Sequence, residues 1–225
     1  MNQSGSQEQQ QSEVVVSLET LNNSSSRRTF LATLVAGAAT ATSLASAPSS
    51  VFASTGLLKH ASAAFPKSDA DILNFALTLE HLEAAFYETA AQRLGTRGYL
   101  GRIIRTLRFD EQQHVAGLTA ALQQGGYTPV NRAARYNFPN VFASKNAFLN
   151  FAATLEDTGV HAYLGQAPLI KTPSLLLTAA SIVTVEARHT GAIRAALHRD
   201  PTDGPFDRGS TKEQILAIAG PLIGR

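Results

Sequence analysis

The sequence contains no cysteine, which excludes disulfide staples, thiolate metal sites and cysteine nucleophiles. Tryptophan is absent and methionine occurs once. Charged residues make up only 16% of the chain and nearly cancel, leaving a formal net charge of +2. Nothing in that balance indicates a nucleic acid or an anionic membrane as a partner. What the chain does have is length and apolar content. Its 225 residues are 44% hydrophobic, with 11 phenylalanines and abundant alanine and leucine. That suits one domain with a real core, built from closely packed helices.

The first quarter of the chain reads as an address rather than as fold. Residues 1 to 26 are polar and rich in Gln, Ser and Asn. Ser26-Arg27-Arg28-Thr29-Phe30-Leu31 then resembles the twin-arginine export motif. The uncharged Ala-, Thr- and Ser-rich stretch that follows is too short and too weakly apolar to span a membrane. Val51-Phe52-Ala53 places small residues where a signal peptidase reads, so cleavage is expected after Ala53. The expected organisation is a signal at 1–53, a linker at 54–67, a helical domain at 68–198 and a tail with a short helix at 199–225. The implied partner is the twin-arginine translocase, and the implied location is the periplasm or another extracytoplasmic space.

Four segments after the signal carry apolar residues at a period near 3.6. The first is expected from Ser68, with Asp71 completing an acidic capping box, to about Leu94, with Gly95 as its stop. The second runs from Tyr99 to Gln124. Its inward stripe is Leu100, Ile104, Leu107, Glu111, His114, Leu118 and Leu122. Residues 127–144, with two prolines and several Asn and Arg, are too long for a simple hairpin. They are read as a crossover returning along the bundle, so that the third helix starts where the first started. The third helix is expected at Asn146–Ala167 and the fourth at Ser174–His198. The fourth carries Ala179, Ile182, Glu186, His189 and Ile193 on one stripe. Ser210 and Glu213 are read as the capping box of a last short helix that covers the bundle as a lid. The expected class is all-α: a four-helix bundle with two short turns and one long crossover.

The chain also repeats itself. Leu73-Asn74-Phe75-Ala76-Leu77-Thr78-Leu79-Glu80 returns as Leu149-Asn150-Phe151-Ala152-Ala153-Thr154-Leu155-Glu156, and each copy has a tyrosine seven residues after its glutamate, Tyr87 and Tyr163. Glu111-Gln112-Gln113-His114 on the second helix has its counterpart in Glu186-Ala187-Arg188-His189 on the fourth. Residues three apart on a helix share a face, so each Glu and His of these pairs can bind one metal centre. Two such pairs plus Glu80 and Glu156 make four carboxylates and two imidazoles, the ligand set of dinuclear carboxylate sites. Oxygen and nitrogen donors without thiolate favour iron or manganese, and zinc also suits them. Glu83 shares a face with Glu80 and either rivals it as a ligand or assists it; the repeat favours Glu80 as the ligand, because Glu80 aligns with Glu156 and Glu83 with Gly159. Gly159 either gives room for a substrate or neighbouring helix, or marks close packing. Tyr87 and Tyr163 read as hydrogen-bond donors to ligating carboxylates, as redox-active groups, or as large core fillers. His81 and His161 are read as peripheral, and Arg188 as lying off the seam.

Glu80, Glu111-x-x-His114, Glu156 and Glu186-x-x-His189 resemble the motif of the ferritin-like superfamily, and the chain resembles bacterial ferritin-like domain proteins and plant desiccation-related proteins. The resemblance spans residues 68 to 198. It implies a ferritin-like bundle, two iron or manganese ions, and redox chemistry on peroxide or oxygen as stress protection. An oxidase and a manganese-catalase-like enzyme are the two catalytic versions. A non-catalytic metal-binding or desiccation-protective protein is the alternative. A homo-oligomer is compatible with each.

Overall fold

The computed structural model describes residues 65–202 and 204–224. The twin-arginine motif, the cleavage site and nearly all of the expected linker lie outside them. Among the described residues five α-helices follow in order: α1 (Lys67–Arg93), α2 (Gly98–Gln124), α3 (Lys145–Gln166), α4 (Pro173–Ala196) and α5 (Lys212–Ala219), with 3₁₀ turns at Ala167–Leu169 and Gly220–Leu222. The fold is the all-α bundle that the periodicity predicts. Among the described residues no helix is long and apolar enough to cross a membrane.

Local chemistry accounts for most helix ends. Leu94 closes α1, and Gly95 follows with φ +78°, a left-handed conformation that glycine adopts without strain. Ser144 caps α3 by accepting the Ala147 N–H at 3.1 Å. Pro173 opens α4, where its missing N–H leaves no bond unmade. Two expected caps are corrected. No side chain caps α1, which follows Pro66, and Asp71 instead accepts from Lys67 Nζ at 2.7 Å on the surface. The acid that matters there is Asp69, fully buried, which accepts the backbone N–H groups of Lys171 and Thr172 at 3.1 and 2.9 Å. Those two donors belong to the α3–α4 turn and gain their partner from Asp69. At α5 the capping box is Thr211 with Gln214, one residue beyond the expected Ser210 and Glu213. Ser210 is committed elsewhere, its N–H donating to His161 O at 2.9 Å.

The crossover also runs otherwise than expected. It leaves beside the start of α1, where Tyr127 donates to Phe65 O at 2.7 Å and Asn74 Oδ1 accepts the Val130 N–H at 2.7 Å. It arrives beside the end of α1, where Phe138, Phe142, Phe148 and Phe151 surround Phe86 with ring centroids 5.3–5.4 Å away. The third helix therefore starts where the first ends. A segment that travels the full length of the bundle from the end of α2 must deliver the chain to the opposite end, so α1 and α3 are antiparallel. Tyr136 pairs with Ile223 in a single bridge, and Asn137 N–H donates to Leu222 O at 2.7 Å, so the C-terminal residues clip the crossover. Helix α5 packs along α3, burying Ile215 and Ala219 in the same cluster as Phe86 and Phe148. It braces the side of the bundle rather than capping it as a lid, and its Lys212 Nζ also lies 5.2 Å from the centre of the Phe75 ring on α1.

Candidate metal centre

Two apolar clusters, one around Phe86 and Phe148 and the other around Leu77 and Leu122, flank a layer of buried polar residues. Glu80 from α1, Glu111 and His114 from α2, Glu156 from α3, and Glu186 and His189 from α4 meet there, all of them buried. Their ligand atoms form two groups, each within 4.8 Å: Glu80, Glu111, His114 and Glu186 in one, Glu111, Glu156, Glu186 and His189 in the other. All six residues singled out by the repeat are thus brought together, and Glu111 and Glu186 belong to both groups.

Atom by atom the arrangement is two-fold. His114 Nδ1 lies 3.2 Å from Glu80 Oε2, 2.9 Å from Glu111 Oε2 and 3.0 Å from Glu186 Oε1. His189 Nδ1 lies 3.0 Å from Glu111 Oε1 and 3.1 Å from Glu156 Oε2, with Glu186 Oε2 at 4.0 Å. The two shared carboxylates each turn one oxygen to either imidazole. One N–H cannot point at three oxygens, and Glu111 Oε1 and both oxygens of Glu186 are left buried without a hydrogen bond. Unpaired buried carboxylate oxygens are costly. Their convergence with imidazole nitrogens suits a divalent cation in each hollow, so the residues fit the metal that the donor set implies.

The electrostatics of the layer points the same way. Burial, then the neighbouring carboxylates, pushes Glu83 and Glu186 well above the usual carboxylate range. Burial and Glu156 raise Glu111 as well. Burial alone would raise Glu80, but His114 and the hydroxyl of Tyr163 outweigh it and hold Glu80 low. Both imidazoles are raised although burial opposes this, His114 chiefly by Glu80 and His189 chiefly by Glu156. Protons stand in for cations wherever acids crowd together.

The two tyrosines cross over. Tyr163 of α3 donates to Glu80 Oε1 of α1 at 2.5 Å, and Tyr87 of α1 donates to Glu156 Oε1 of α3. Each hydroxyl holds the one carboxylate that belongs to a single ligand group. Burial next to these carboxylates raises both phenols well above 10. His81 and His161 are half-buried and stand in neither group, and Arg188 is exposed.

Glu83, the rival of Glu80, stands in neither ligand group but is 3% exposed and lies against the cluster: a Cβ added to Gly159 would stand 3.1 Å from Glu83 Oε1 and 3.3 Å from Glu186 Oε2. Its i+3 spacing from Glu80 carried that signal. One residue was missed by reading the sequence, Asp110: its Oδ2 lies 3.1 Å from His189 Nε2. Standing next to Glu111 it falls off the apolar stripe, and only the approach of α4 gives it a partner. Asp110, His114 and His189 also line a cleft of about 560 Å³ between α2 and α4, with Phe109 and Arg188.

No curated protein matches the chain at a significant level. The profile of the ferritin-like domain matches residues 68–199, which is the whole of the bundle from α1 to the end of α4 and more than half of the sequence. With the antiparallel helix pairs, the long crossover and the buried Glu and His layer already in place, the chain belongs to the ferritin-like domain family.

Proposed function

We propose that the bundle holds two iron or manganese ions and carries out redox chemistry on peroxide or oxygen, in stress protection outside the cytoplasm. The observation that carries this reading is the pair of ligand groups sharing Glu111 and Glu186, each with one imidazole Nδ1 and one unshared carboxylate. Glu80, Glu111, His114 and Glu186 would hold one ion, and Glu111, Glu156, Glu186 and His189 the other. Bound metal would supply the electrons by changing oxidation state. The protein's part is to fix the carboxylates through Tyr87 and Tyr163, to keep the layer dry between two apolar clusters, and to leave an approach along the α2–α4 cleft. Export by the twin-arginine route would carry the chain across already folded and metal-loaded; the support is Arg27-Arg28 ahead of an uncharged stretch and a small-residue cleavage site.

The test is metal content after anaerobic reconstitution with iron or manganese, followed by oxygen-electrode assays. About two ions per chain with oxygen evolved from peroxide identifies a catalase, and oxygen consumed with a reductant identifies an oxidase. A chain that stays metal-free sinks the proposal. Replacing Arg27 and Arg28 by lysine should strand the precursor in the cytoplasm, and unchanged export would remove the twin-arginine part alone. A non-catalytic metal-binding role has one observation in its favour: both imidazoles are only 4% exposed. It requires thermal stabilisation by metal with no turnover of either oxidant.

A further inference from the structure

The internal repeat makes the ligands of the two groups alike, and a residue beside one of the two imidazoles breaks that likeness. Asp110 precedes Glu111 on α2, and the residue in the same place before Glu186 on α4 is Val185. Across the cleft Asp110 Oδ2 lies 3.1 Å from Nε2 of His189, while Nδ1 of the same ring faces Glu111 and Glu156. Among the described residues, every hydrogen bond and ion pair of His114 runs through its Nδ1, and valine offers no acceptor. We propose that Asp110 is a positioning residue that fixes the His189 ring with Nδ1 inward, and thereby makes the two metal positions unequal, with the His189 position the tighter.

The physical argument is short. A carboxylate accepting the outer N–H of an imidazole locks its tautomer and orientation and makes the inner nitrogen a better donor, and loss of such a partner typically costs about 10–100-fold in metal affinity. His189 is nearly sealed, with its side chain 5% exposed, whereas Asp110 is 30% exposed on the cleft. The acid therefore stands at the wet rim of the cleft while the inner nitrogen of its partner faces the dry layer. The inference rests on the dinuclear reading above.

The experiment is a calorimetric and absorbance titration of the metal-free full chain with cobalt(II), with melting curves of each metal-free variant as the control for folding. Wild type should bind two ions in resolved steps, the first more tightly. Asp110→Ala should weaken one step by about 10–100-fold and leave the other unchanged, and Asp110→Asn should lie between. In a His189→Ala background Asp110→Ala should have no further effect. Val185→Asp offers His114 an equivalent partner and should tighten the weaker step. Two ions bound identically by wild type and Asp110→Ala would overturn the role of Asp110 and leave the dinuclear site standing. A wild-type chain that takes up no cobalt would overturn both.

Discussion

Glu83 occupies the space that Gly159 leaves empty: the carboxylate of the α1 residue lies 3.1 Å from where a β-carbon on the α3 residue would stand. The two positions are equivalent in the internal repeat. One half of the bundle thus lends room for an acid that the other half does not carry, and the layer holds five buried glutamates, Glu80, Glu83, Glu111, Glu156 and Glu186.

Gly159→Ala tests that relationship. Alanine in mid-helix gains about 1 kcal/mol over glycine, but its methyl presses on Glu83 Oε1 and Glu186 Oε2. Stability of the metal-free chain should change by less than about 1 kcal/mol, while metal affinity falls by about 10-fold. Adding Glu83→Ala should restore the affinity. Titration of both variants with manganese(II) reads this directly, and an unaltered affinity in Gly159→Ala would show that the glycine serves helix packing alone.

Tyr87 and Tyr163 give a second test. Each phenol holds one unshared carboxylate from the opposite helix. Tyr87→Phe and Tyr163→Phe should each destabilise the metal-free chain by about 1–3 kcal/mol, because a buried carboxylate loses its donor. If the tyrosines only hold ligands, turnover per bound metal survives in both variants. Turnover lost at full metal loading would instead mark a redox role.

The architecture was legible because two signals reinforced each other. The 3.6 period located α1 to α4 nearly to their ends, and the Glu80/Glu156 and Glu111-His114/Glu186-His189 repeat named the residues that meet in one layer. What escaped was set by partners distant in sequence. Nothing local distinguishes Asp69 in the sequence, because its two N–H donors come from the α3–α4 turn. Asp110 lies off its helix's apolar stripe, and its role needs His189 from another helix. The direction of α3 was misjudged because a loop's length gives the distance it can cover and not the end at which it arrives; the phenylalanines clustered about Phe86 fix that end.

The attachment of the C-terminal segment depends on two glycines. A Cβ on Gly165 would fall 1.8 Å from Ser210 O, and one on Gly209 2.6 Å from Gly165 N. Both obstacles are backbone, which cannot swing aside. Gly165→Ala should therefore detach residues 209–224 from α3 and loosen the crossover that they clip at Tyr136. Amide exchange should speed up in α5 and at Asn137 while α1 and α2 keep their protection. Uniform loss of protection would mean that α5 unfolds only with the bundle.

The pH dependence of stability should reverse sign with metal. In the metal-free chain Glu83, Glu111 and Glu186 are raised above their usual 4.5, and His114 and His189 above 6.5. A raised carboxylate still holds its proton in the folded chain where the unfolded chain has released it. A raised imidazole does the same above pH 6.5. In both cases the folded state binds more protons, so stability falls as pH rises from about 5 to 8. Glu80 is lowered and acts the opposite way, but only below 4.5. Metal needs these same groups deprotonated, so its binding releases protons and strengthens with pH. Melting curves in a chelator should shift down from pH 5 to 8, and those in saturating manganese(II) should shift up. Parallel curves would mean that the buried layer neither titrates nor binds manganese.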